Sequence, residues 1–71
     1  MELFEVETKQ TMSREEAAAR LRQLADSLER HNEIEFSLGG IPTHLKVPDQ
    51  VTLEFEIEVG DESGIEVEIS W

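Results

Sequence analysis

Val51-Thr52-Leu53-Glu54-Phe55-Glu56-Ile57-Glu58-Val59, then Gly60-Asp61-Glu62-Ser63-Gly64, then Ile65-Glu66-Val67-Glu68-Ile69-Ser70-Trp71 is the stretch whose reading decides the fold. Apolar and acidic residues alternate through both runs, and a period of two is that of a β-strand with one face in water. The glycine-bounded segment between them reads as a turn. The stretch therefore predicts a hairpin with carboxylates on one side and aliphatic and aromatic groups on the other. Pairing Val59 with Ile65 sets Glu58 opposite Glu66 and Glu56 opposite Glu68.

Upstream, Glu33-Ile34-Glu35-Phe36-Ser37-Leu38 and Ile41-Pro42-Thr43-His44-Leu45-Lys46-Val47 flank Gly39-Gly40. Two glycines between alternating runs are a strong signal for a two-residue hairpin loop, because its backbone needs positive φ. Pairing Leu38 with Ile41 puts Ile34 opposite Leu45 and Phe36 opposite Thr43. On the other face it puts Glu33 opposite Lys46 and Glu35 opposite His44. Both faces make chemical sense, which a one-residue slip would destroy. Pro42 has no N–H to give to a ladder and marks a place of irregularity. Pro48-Asp49-Gln50 turns the chain toward Val51.

A helix precedes these strands. Ser13-Arg14-Glu15-Glu16 has the spacing of a capping box, with Met12 and Ala17 placed as a hydrophobic staple. Ala17, Leu21, Leu24, Ala25 and Leu28 recur at three- and four-residue spacing and form one apolar stripe. Glu15 and Glu16 at the start and Arg30 at the end suit the helix dipole. His31 reads as a dipole or capping residue and Asn32 as a left-handed cap. Before the helix, Leu3 to Thr8 alternates and predicts a first strand.

The chain has 71 residues, 6 Lys plus Arg, 17 Asp plus Glu and no cysteine, for a formal net charge of −11. That length is one domain, residues 1–71, with little apolar surface to bury. Disulfides and thiolate metal sites are excluded. The charge repels phosphate backbones and anionic headgroups, so neither nucleic acid nor a membrane is an expected partner. The acidic start lacks the basic, then apolar, pattern of a signal peptide, and a soluble cytoplasmic protein is expected. Lysine depletion (only Lys9 and Lys46) beside excess Glu fits a salt-loving host.

Three segments together carry a family resemblance: Leu3-Phe4-Glu5, Ser13-Arg14-Glu15-Glu16-Ala17-Ala18, and the run from Val51 to Trp71. In these the chain resembles the amphi-Trp domain family of small prokaryotic proteins over nearly its whole length. The resemblance supports the fold; it implies no activity and assigns no site residue.

Two surfaces are candidates for function. The alternation puts Glu5, Glu7, Glu33, Glu35, Glu54, Glu56, Glu58, Glu66 and Glu68 on one open face. That is a binding surface for cations or a basic protein, or a solvated face tuned for high ionic strength, where screening is short-ranged. His44 is expected between Glu35 and Glu54. A flat open sheet without a second His favours local charge relief over metal ligation there. No serine has a His–acid partner at suggestive spacing, and Gly39-Gly40 leads into a strand rather than a phosphate-cradling helix. No enzyme, metal or cofactor is expected.

The second surface is apolar. The expected fold is α+β, one helix on a mostly antiparallel five-stranded sheet in the order β-α-β-β-β-β, the first strand joining either edge. Five strands span about 20 Å, whereas a helix with its side chains is about 10–12 Å across. One helix cannot flatly cover that face. Either the sheet coils around the helix, as in ubiquitin-like rolls, or another chain covers part of it. Trp71, with Ile69 and Val67, is the natural anchor of such an interface. The reading is a non-catalytic interaction module, its partner another protein or a second copy. The alternative is an acidic charge mimic or cation binder acting through Glu35, Glu54, Glu56, Glu58, Glu66 and Glu68.

Overall fold

A computed structural model describes residues 4, 5, 7 and 9–71. Its elements are β1 (Phe4–Glu5), α1 (Arg14–Arg30), β2 (Glu33–Leu38), β3 (Ile41–Lys46), β4 (Thr52–Glu58) and β5 (Gly64–Ser70). Most of the strand structure lies in two antiparallel hairpins, β2–β3 and β4–β5.

The helix begins where the capping pattern places it. Ser13 is extended at φ −67, ψ 156, and its Oγ accepts from the Glu16 amide at 3.0 Å. That bond satisfies one of the first-turn amides that a helix leaves without a partner. The far end corrects the expectation for Asn32. His31 is the C-cap, extended at φ −131, and its N–H donates to the Ser27 carbonyl at 3.0 Å. No described non-glycine residue has positive φ, so Asn32 is not a left-handed cap. Its carbonyl instead accepts from the Val47 N–H at 2.7 Å, continuing the β2–β3 ladder by a step.

Gly39 and Gly40 have φ of 60° and 82° and close β2–β3 with a tight turn. The register is the one the two faces predict, from Glu33 opposite Lys46 to Leu38 opposite Ile41. Ahead of the helix, among the described residues, only Phe4–Glu5 pairs, parallel to β2 and with Phe4 beside Phe36. A parallel neighbour needs a long crossover, and α1 is that crossover. Leu3, Val6 and Thr8 of the expected first strand lie outside the described residues.

The five-stranded sheet that the alternation predicts does not form. The strands divide into one sheet, β1-β2-β3, and a separate two-stranded sheet, β4-β5. β4 and β5 contact each other and no other element among those described, while α1 reaches β2 alone. A physical reason lies in β3: Pro42 is its second residue, and a strand missing an N–H belongs at a sheet edge. No further described strand adds to it.

The second hairpin also differs in register. Ile57, not Val59, stands opposite Ile65, so Glu56 faces Glu66 and Glu54 faces Glu68, with Gly64 drawn into the strand opposite Glu58. The shift is two residues, which leaves every side chain on its predicted face. Face patterning therefore could not decide it, and the turn did. Ser63 Oγ donates to the Gly60 carbonyl at 3.5 Å within that turn.

Among the described residues none is buried. The helix shields part of its stripe: Ala17, Ala18, Leu24 and Leu28 are half-buried, whereas Leu21 is 56% exposed. In β2 both faces are half-covered from Glu33 to Ser37. The expected burial of apolar residues against the helix is thus confined to this unit.

Candidate interaction surface

The β4–β5 hairpin presents two faces of opposite chemistry. On one, the cross-strand pairs are Leu53 with Ile69, Phe55 with Val67 and Ile57 with Ile65. On the other they are Glu54 with Glu68 and Glu56 with Glu66. Strand pleating alone accounts for this division, since successive side chains point to opposite sides. Phe55 is 66% exposed, Ile57 72% and Ile65 73%, so the apolar face is in water. Of the three anchors expected, Ile69 is half-buried, and Val67 and Trp71 are exposed. Trp71 is 56% exposed, so it does not cap a core beyond the helix.

A hydrophobic face of this kind is unusual on a protein surface. A lone two-stranded hairpin is at best marginally stable in water, because it buries too little on either side. The first sheet adds exposed Leu38, Ile41 and Leu45 to the apolar surface in water.

The acidic residues are brought together only in part. Glu56, Glu58 and Glu66 can place carboxylate oxygens within 4.8 Å of one another on the charged side of the hairpin. Glu54 and Glu68 continue that side. Glu35 does not join them: it lies in the other sheet, opposite His44. The expected continuous wall is split with the sheet.

His44 is flanked by two carboxylates, though not the expected pair. Its Nδ1 lies 3.1 Å from Glu33 Oε1, and its Nε2 lies 3.5 Å from Glu35 Oε1. Glu54 is absent from this group because β4 does not pair with β3. The role of Glu33 was legible as a diagonal neighbour, which a long side chain can reach across a ladder. A groove of about 300 Å³ lies where the helix end meets the connection after β3, lined by residues including Leu28, His31, Asn32, Val47, Pro48 and Asp49. It has no sequence motif behind it.

These features define a small α+β module with two amphipathic β-units, one partly covered by a helix and one open. The chain belongs to the Amphi-Trp domain family, whose model matches residues 1–71. No match was found among curated proteins or among solved structures. No helix among the described residues is long and apolar enough to cross a membrane.

Proposed function

We propose that this chain is a non-catalytic protein-interaction module whose contact surface is the apolar face of β4–β5. One observation carries the reading: Leu53, Phe55, Ile57, Ile65 and Val67 are exposed on a hairpin that touches no other described element of its own chain. Full burial of each such side chain is worth about 1.5–3 kcal/mol. Several together exceed the lower range of what association costs in lost freedom. Trp71, Ile69 and Val67 extend the same surface, and tryptophan is enriched where interfaces concentrate their energy.

A second reading is favoured by the Glu56, Glu58 and Glu66 group. Crowded carboxylates on a chain of net charge −11 would attract a cation or a basic protein, with Glu54, Glu68 and, separately, Glu35 contributing. Salt separates the two readings, because it screens charge and strengthens apolar contact. The immobilised chain and its Phe55→Glu variant are offered host lysate at low and molar KCl. The apolar reading expects a partner held in molar KCl and lost by the variant. A partner held only at low salt, and equally by both chains, overturns it in favour of the acidic face.

A further inference from the structure

We propose that the occupant of the β4–β5 face is a second copy of this chain, and that the two copies exchange hairpins. Each hairpin lies over the helix and β2–β3 sheet of the other copy. The proposal rests on the reading of that face as an interaction surface and names its partner.

Surface area makes the first argument. The chain exposes 6438 Å² at 8.1 kDa. A compact monomer of that mass exposes about 4,500 Å². The surplus, about 1,900 Å² per chain, is more than twice the roughly 800 Å² each partner gives to a standard interface. The radius of gyration is 13.6 Å, against about 11 Å for a compact chain of this length. The surplus falls in the range of obligate dimers.

Complementarity points the same way. The described residues carry two apolar surfaces left wholly or partly open: the hairpin face, and the unit that the helix only partly covers, with exposed Leu21, Leu38 and Leu45. A two-fold axis matches one to the other twice, as an isologous interface requires. Hairpin stacked on hairpin would cover one surface per chain and leave the other in water. Exchange covers both, and it keeps Glu56, Glu58 and Glu66 on the outer side.

The connection supplies the third. The Val47 N–H is held by the Asn32 carbonyl at 2.7 Å, and Pro48 biases Val47 to an extended backbone. β3 is thus held extended as far as Val47, and the link to β4 is short, with a bend at Asp49. Short links between units favour exchange over closure.

The full chain is tested by light scattering and sedimentation over a range of concentrations, in physiological and molar KCl. The expected mass is twice 8.1 kDa, with affinity rising about tenfold or more in molar salt as the like charges are screened. Phe55→Glu is expected to run at the monomer mass with its helical circular dichroism intact; a variant that remains dimeric overturns the proposal. For the exchange itself, copies carrying Leu21→Cys are refolded with copies carrying Ile57→Cys and treated with a short thiol cross-linker, the chain having no cysteine of its own. Exchange yields helix-to-hairpin links between the two variants. Hairpin-to-hairpin links alone overturn exchange. A strict monomer overturns self-association; if it binds a hydrophobic dye, the apolar-face reading survives, and if it binds none, that reading falls as well.

Discussion

Glu56 stands directly across the β4–β5 ladder from Glu66, and Glu58 can bring its carboxylate within 4.8 Å of both. Like charges directly opposite on a sheet are destabilising, and no described basic side chain forms an ion pair with any of the three. Glu66→Lys should therefore stabilise the fold at low salt by about 0.2–1 kcal/mol. The gain should fade in molar KCl, where the screening length is about 3 Å. Urea midpoints measured at both salt levels check this, and an equal gain at both would show that charge is not its cause.

The helix start offers a second prediction. Ser13 Oγ is the acceptor for the Glu16 amide at 3.0 Å. Ser13→Ala removes the acceptor and should cost about 1 kcal/mol, whereas Ser13→Asp should keep most of the stability. Thermal unfolding followed by the helical circular dichroism signal separates the two variants.

The Gly39-Gly40 turn makes a third. A Cβ added at either glycine meets nothing within 4 Å, so side-chain bulk is not the obstacle. The obstacle is φ of 60° and 82°, which most L-residues adopt only at a cost. Gly40→Val should destabilise the β2–β3 hairpin by about 1–2 kcal/mol. Gly39→Asn should be close to neutral, because asparagine tolerates that conformation. Denaturant unfolding of the pair is the measurement.

Some of the structure was legible in the sequence and some was not, for physical reasons. Two constraints fixed β2–β3: opposite faces of consistent chemistry and a glycine pair with only one economical turn. The β4–β5 faces were equally clear, yet a two-residue slip leaves them unchanged. Its turn has no positive-φ residue to pin the register. The split into two sheets was foreshadowed by Pro42, but a proline announces an edge and does not say what lies beyond it. Glu54, Glu56, Glu66 and Glu68 share one side of the β4–β5 ladder, as the alternation predicts. Their continuity depended on strand order, which alternation does not encode, so Glu35 and Glu54 were joined in expectation and lie apart in the fold. The open apolar face was expected from a five-stranded sheet wider than one helix, but its cause is different: β4–β5 is a separate sheet that no other described element covers.

His44 provides a fourth prediction. Its ring lies 3.1 Å from Glu33 and 3.5 Å from Glu35, and both glutamates are half-buried. Replacing the ring with leucine leaves two neighbouring carboxylates without that polar partner. His44→Leu should destabilise the β2–β3 sheet by about 0.5–1.5 kcal/mol, and His44→Lys should recover part of the loss. Equal stability of all three chains would show that the imidazole does nothing for its neighbours.

The last prediction concerns how stability depends on concentration. Ile57 and Ile65 face each other on β4–β5, both largely in water within one chain. If they served a core of the monomer, Ile57→Thr with Ile65→Thr would cost several kcal/mol at every concentration, because buried aliphatic groups are expensive to truncate. An exposed pair behaves otherwise: its loss should change the unfolding of a dilute monomer by no more than about 0.5 kcal/mol. Association alters the expectation for the native chain. A partner that binds only the folded state adds stability that grows with its concentration, so the wild-type midpoint should climb as protein is added. The double variant should show a flat midpoint meeting the wild-type value at the dilute limit. Thermal melts across a hundredfold range of concentration decide it. Parallel curves with the variant several kcal/mol less stable throughout would place these isoleucines in a core of the single chain.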